Sequence, residues 1–412
     1  MNHRLQQITF HGQSIWLDFT KRSFVESGEL RKLIVEEGVT GVTSNPSIFG
    51  EALSEGSEYD HAIQRAALHG LRAEEAYERI VIEDIQRVAD ELADVFEHTD
   101  GKDGYVSLEV SPHLAHDTEG TIEQAREFWA RVDRPNLFIK VSGTAEGLPA
   151  ITSLTAEGIN VNITLLFDLE RYRAVAAAYI KGLTDRVAAG LPVDRITSVA
   201  SFFLSRIDLV VDPLLEEVAR NTEQASEANS LRGKTAIACA KQAYQLYKEI
   251  HASESFQRMA AAGARPQRLL WASTATKNPK ERDVRYVEAL IGPDTINTLT
   301  RQTLVAFGDH GDPTPRLEEG LDEARQTLHL LKEVGVDLKG VGQQLENEGI
   351  KKFKQPFDHL LGELKRKLAT ASALFGSFLS PDGFKNTLDS TDKDSPPRET
   401  DKNPTVHSIQ RH

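Results

Sequence analysis

The stretch NLFIKVSGT, Asn136 to Thr144, sets Leu137, Phe138, Ile139 and Val141 around a single lysine, Lys140. A short apolar run bounded by Pro135 and Gly143 reads as a buried strand. Charge is costly in such a place. Either the ammonium reaches solvent, or it pairs with an acid, or the protein uses the amine. The rest of the chain decides among these.

Seven further stretches carry strand signals. They are SIWLDF from Ser14, VTGVTSN from Val39, YVSLEVS from Tyr105, INVNITLLF from Ile159, ITSVASFF from Ile196, QRLLWAST from Gln267 and the shorter DTINTL from Asp294. Helical patterns lie between them. ELRKLIVEE stops at Gly38, and AYERIVIEDIQRVADELADVFE puts Ile80, Ile82, Ile85, Val88 and Leu92 on one stripe. LERYRAVAAAYIKGLTDRVAAG follows the fifth strand and GKTAIACAKQAYQLYKEIHA the sixth. Strand alternating with helix implies parallel strands joined by crossovers. Eight such units in roughly 300 residues fit an α/β fold of the closed (β/α)8, or TIM barrel, kind. An open doubly wound sheet is the alternative.

FDHLLGELKRKLA sets Phe357, Leu360, Leu361, Leu364 and Leu368 on one face, predicting an additional C-terminal helix packed on the barrel. The barrel with this helix is expected to span 1–375. From 376 to 412 the chain turns polar and proline-containing, a composition that predicts a disordered tail.

Composition narrows the function. A net charge of -14 argues against nucleic acid, and the one dense basic cluster, IKKFK near Lys351, reads as a solvated helix face. No apolar run approaches the roughly 18 residues of a membrane span. The N-terminal MNHRLQQITFHG has no apolar signal core, and the single cysteine, Cys239, sits in a helical pattern; both lead us to expect a cytoplasmic protein without disulfides. The 13 histidines form no cluster with ligand spacing, so no metal site is expected, and GxxxxGK[ST], GxGxxG and HExxH are all missing. A monomer and a homodimer are equally compatible with the sequence.

What remains is a recurring polar residue near the C-terminal end of seven of the eight strands: Asp18, Asn45, Glu109, Lys140, Thr164, Ser201 and Ser273. In a barrel those ends meet at one mouth. Strand alternation pairs Trp16 with Asp18, Ser107 with Glu109, Phe138 with Lys140 and Asn162 with Thr164, so each pair can face inward together. A desolvated lysine amine can attack a ketone and form an imine, which then draws electrons from the adjacent carbon–carbon bond. Asp18 and Glu109 are the natural acids for the accompanying proton transfers, although either can equally serve as a cap or ion pair. SFFLSRID offers Ser201, Ser205 and Arg206, and WASTATKNP offers Ser273, Thr274, Thr276 and Lys277; hydroxyls, helix N-terminal amides and cations of this kind suit a phosphate, or simple capping.

Together the motifs WLDF, GVTSNPSIF, SLEVSP, LFIKVSGTAEGLPAI, INVNITLLF, SVASFFLSRID, LLWASTATKNP and NTLTRQTLVAFGDHG resemble the transaldolase family over roughly residues 10 to 370. The resemblance implies a (β/α)8 barrel that moves a dihydroxyacetone unit between sugar phosphates without metal or organic cofactor. It implies that Lys140 forms the imine, that Asp18 handles the hydroxyl proton, and that Glu109 works through a water held with Thr164. Asn45 and Ser201 match residues contacting the donor, Phe203 an aromatic near the site, and Arg206 the phosphate-gripping arginine, with Ser273 as its partner. The expected substrates are sedoheptulose 7-phosphate, glyceraldehyde 3-phosphate, erythrose 4-phosphate and fructose 6-phosphate.

Two features depart from many relatives. Lys140 is followed by Val-Ser-Gly-Thr, which looks like a longer bacterial and plant branch. Where relatives carry Ala-Ser-Phe-Arg-Asn, this chain has Ala-Ser-Thr-Ala-Thr-Lys-Asn, so Lys277 is expected to replace the arginine's charge, as a point rather than a fork. Two alternatives stand beside a transaldolase: a fructose 6-phosphate aldolase that frees dihydroxyacetone, and an inactive sugar-phosphate-binding barrel.

Overall fold

The computed structural model describes residues 3–54, 57–221 and 223–378. Eight parallel strands close on themselves in sequence order: β1 Ser14–Asp18, β2 Val39–Thr43, β3 Tyr105–Glu109, β4 Leu137–Ser142, β5 Val161–Leu166, β6 Ser198–Phe203, β7 Arg268–Ala272 and β8 Thr295–Leu299. β1 pairs with β8, so the open-sheet alternative is excluded. Each strand falls inside a stretch expected from sequence.

Side chains fill the barrel. Within it lies an aromatic cluster, in which Tyr105 and Phe138 lie 4.4 Å apart and Trp16 lies 6.0 Å from Phe138. Trp16 lies against Gly41, where a Cβ would stand 2.4 Å from the indole; only glycine lets β2 pass there. Asn162 Nδ2 donates to Ser107 Oγ at 2.9 Å and Ser201 Oγ donates to Asn162 Oδ1 at 2.7 Å. This chain satisfies polar groups that water cannot reach. At the C-terminal ends of the strands the inward positions are Asp18, Thr43, Glu109, Lys140 and Thr164. The period of two therefore delivers the reactive side chains to one end of the barrel.

The helical stripe Ile80, Ile82, Ile85, Val88 and Leu92 is buried, within Ala73–Glu91 and its C-cap. Two helices, Ser205–Asn221 and Ala225–Leu231, precede Thr235–Ala252 where one was expected. The C-terminal helix is also longer than expected. It runs Leu338–Phe378 and continues through Pro356, a residue that reads in sequence as a boundary because it lacks the N–H for an i→i−4 bond. Phe357, Leu360, Leu364 and Leu368 are buried as expected, and Leu361 is half-buried. This helix packs on Pro46–Ser54, Asp60–Leu68, Ala73–Glu91 and the end of β5. The segment expected to be a disordered tail lies, from Leu379 onward, outside the described residues. No helix among the described residues is long and apolar enough to cross a membrane.

The segment after β6 is anchored by a buried acid. Asp208 accepts from the Ala236 amide and from the Tyr286 hydroxyl, both at 2.8 Å, tying three helices together. Burial raises its pKa to about 6, against the two hydrogen bonds that favour the anion. A carboxyl with a folded pKa above its unfolded value contributes stability below about pH 4, and that contribution is lost as pH rises through 6. We therefore expect Asp208→Asn to gain stability relative to wild type, by about 2 kcal/mol, between pH 4 and pH 7. Urea unfolding at both pH values checks this; a pH-independent difference would contradict it.

Candidate active site

The strand ends enclose a cavity of about 200 Å3 lined by Asp18, Asn45, Lys140, Thr164, Ser201, Phe203, Arg206, Ser273 and Lys277. Glu109, the remaining expected site residue, is reached through Lys140. β3 and β4 pair in register with Glu109 opposite Lys140, which brings Lys140 Nζ to 3.1 Å from Glu109 Oε2. Both side chains are buried, at 7% and 6% exposure, so this is an ion pair inside the barrel rather than at its rim. Lys140 Nζ also donates to the Ser44 carbonyl at 3.3 Å. Of the options open in the sequence, pairing with an acid is the one seen: polar oxygens hold the amine, because an unpaired charge there would cost several kcal/mol.

Burial raises the pKa of Glu109, opposed by the charge and hydrogen bond of Lys140, with Asp18 adding a further push upward. Burial likewise raises that of Asp18, opposed by Lys140 and by the hydrogen bond from Thr43 Oγ1 at 2.9 Å. Thr43 in turn shares a 2.8 Å hydrogen bond with Thr298. Two carboxyls that protonate more readily than usual flank one amine. Such a group can pass protons in both directions.

The other expected residues differ in what they have free. Thr164 Oγ1 is buried with no hydrogen-bond partner among the described residues, which fits a hydroxyl reserved for a ligand or water. Asn45 Oδ1 accepts from the amides of Ser47 and Ile48, capping the helix that follows and leaving its amide nitrogen for other contacts. Ser201 spends its proton on Asn162, so it meets a ligand as an acceptor. Asn162 itself is bonded on both sides and serves as a support beneath the site. Phe203 lies beside Phe167, with ring centroids 5.3 Å apart and the planes tilted by 46°.

A cluster of hydroxyls and cations lies between β6 and β7. Ser273 has φ 55°, a left-handed conformation uncommon for serine, and its hydroxyl lies 3.0 Å from that of Ser205. Ser205 opens the helix Ser205–Asn221, and Arg206 follows it, with its guanidinium 5.9 Å from the Phe203 ring. Burial lowers the Arg206 pKa, opposed by Glu348. Among the described residues Arg206 and Lys277 make no side-chain hydrogen bond or ion pair. A half-buried cation without such a partner is an incomplete site for an anion. Among the same residues no group of three or more His, Cys, Asp and Glu side chains is placed to hold a metal.

Thr43, Thr298, Thr300 and Phe353 also line the cavity and were not anticipated. Thr43 occupies the last inward position of β2, and Thr298 bonds it from β8; the alternation rule, applied to those strands, would have found both. Phe353 belongs to the IKKFK cluster. Lys351 and Lys352 are exposed, as a solvated face requires, but Phe353 turns inward.

Residues 15–364 match the transaldolase/fructose-6-phosphate aldolase family. The chain is 48% identical to a transaldolase of Thiobacillus denitrificans over 353 residues, covering 86% of this chain and 97% of that protein. It is 48% identical over 370 residues to a transaldolase of Thermobifida fusca, covering 90% and 99%. With transaldolase 2 of a Nostoc species it shares 46% identity over 378 residues, covering 90% and 99%. The chain belongs to the transaldolase/fructose-6-phosphate aldolase family.

Proposed function

We propose that this site moves a dihydroxyacetone unit between sugar phosphates through an imine on Lys140. The activity is that of a transaldolase, a transferase, as in relatives that match along almost their whole length. The observation that carries the mechanism is the buried amine of Lys140, 3.1 Å from Glu109 and in one cavity with Asp18.

Lys140 gives a proton to Glu109, whose burial-raised pKa makes it a willing acceptor, and the free amine attacks the ketose carbonyl. Glu109 returns the proton, through a water held on Thr164, to the hydroxyl of the carbinolamine. Water leaves and a protonated imine remains. Asp18 then takes the proton of the hydroxyl on the far carbon of the breaking bond, which becomes the aldehyde carbon. The bond's electrons move into the imine, the aldose departs, and a three-carbon enamine stays on Lys140. A second aldose adds by the reverse path, and hydrolysis of the new imine frees the product ketose. The net change suits sedoheptulose 7-phosphate plus glyceraldehyde 3-phosphate giving erythrose 4-phosphate plus fructose 6-phosphate, a step of the pentose phosphate pathway. A cytoplasmic setting is part of this reading.

The phosphate belongs at Arg206, with the hydroxyls of Ser205 and Ser273 beside it. Lys277, exposed at the rim, adds the second positive charge. This resolves the conflict with an acidic chain: net charge of -14 repels anions at long range, but screening confines that field to about 8–10 Å.

Treatment with fructose 6-phosphate and borohydride, followed by digestion, should place a three-carbon adduct on Lys140. An adduct on another lysine, or none, would remove the mechanism. Arg206→Ala should raise KM for fructose 6-phosphate by about tenfold or more, from the loss of roughly 1.5–3 kcal/mol of charge-assisted hydrogen bonding. Steady-state kinetics checks this, and an unchanged KM would mean the phosphate is held elsewhere.

A further inference from the structure

The C-terminal helix Leu338–Phe378 is brought unusually close to the mouth of the barrel. Gly342 faces Asp168, and Gly349 faces Leu165; a Cβ would stand 2.7 Å from Asp168 Oδ2 in the first case and 2.8 Å from Leu165 Cδ2 in the second. Two glycines seven residues apart lie on one helix face, so the backbone itself approaches β5. Leu165 meets it with φ 64°, at an irregularity in the β5–β6 pairing next to Thr164. Between the glycines, Glu346 is buried and pairs with Arg171 at 3.3 Å. One turn beyond Gly349, the same face presents Phe353. Its ring is 8% exposed, lines the catalytic cavity, and lies 5.7 Å from Lys140 Nζ.

We propose that Phe353 is the wall that keeps water from the enamine on Lys140, and so favours transfer over release of free dihydroxyacetone. This rests on the imine put forward above. For release, the enamine carbon must take up a proton and become an iminium. Water then adds to the iminium carbon, the C–N bond breaks, dihydroxyacetone leaves as the ketone, and Lys140 keeps the proton as an ammonium. Transfer uses the same nitrogen, but an aldehyde takes the place of the proton at the enamine carbon. The closing hydrolysis of the imine is common to both outcomes, so the wall acts at the step in which water would supply that proton. An aromatic ring near the nitrogen excludes water while its face still attracts the cationic iminium. Glu109 and the Ser44 carbonyl hold the nitrogen by hydrogen bonds, and Phe353 adds an apolar surface that neither supplies.

The test compares wild type with F353L, F353V and F353A, each given fructose 6-phosphate with and without erythrose 4-phosphate. Free dihydroxyacetone is measured against transfer product. The ratio should rise about tenfold in F353A, less in F353V, and stay near wild type in F353L, which keeps an apolar bulk. A loss of packing alone would lower both rates together and leave the ratio unmoved. If F353V and F353A, or whichever of them melts as a folded protein, keep the wild-type ratio within about twofold, the proposal is wrong. Borohydride trapping on Lys140 in the same samples reports the imine separately. Its failure in wild type would overturn the imine, whereas a normal adduct with an unchanged ratio would overturn only the role of Phe353.

Discussion

One buried ion pair organises the mouth of this barrel. Lys140 and Glu109 face each other across adjacent strands, and taking both charges from water costs several kcal/mol before their attraction offsets it. The pair is stable only because strand register fixes its geometry and because Ser44, Asp18 and Thr43 supply further polar contacts or charge nearby. Breaking one partner would leave the other as an uncompensated charge. The same arrangement makes the amine usable, since a proton can move to a carboxyl already biased to accept it. Structure and chemistry therefore draw on one interaction.

The side chains below support that pair. Aromatic rings and an amide–hydroxyl chain lie beneath it, and the titratable groups stand at the C-terminal strand ends. Inward positions recur every two residues along each strand, so a one-residue slip would exchange inside for outside and disperse the site. The constraint at Gly41 belongs to the same scheme: β2 must pass the Trp16 ring closely for Thr43 to reach Asp18. On the open side, the C-terminal helix completes what the strands cannot, an apolar surface facing the amine.

Most of the barrel was legible because its signals are local. Eight apolar runs and the helices between them are properties of short windows, and the polar residue ending seven of those runs marks the mouth. Asp18, Glu109 and Lys140 stand out in this way, whereas Arg206 comes from the stretch that follows the sixth strand. The partnership of Lys140 with an acid was visible only as one of three options, since register between strands is not written in either strand. Phe353 was hidden for a different reason. It sits among lysines, far along the chain, and its inward turn depends on Gly342 and Gly349 letting a distant helix settle on β5. The split of the region after β6 into several helices was likewise a matter of tertiary contacts, with Asp208 receiving hydrogen bonds from two separate elements.

The most direct measurement is a crystal structure of the protein soaked with fructose 6-phosphate. The account predicts continuous density between Lys140 Nζ and the second carbon of the sugar, with the phosphate oxygens about 3 Å from the Arg206 guanidinium. A sugar held without a bond to Lys140, or with its phosphate at the opposite end of the cavity, would contradict it.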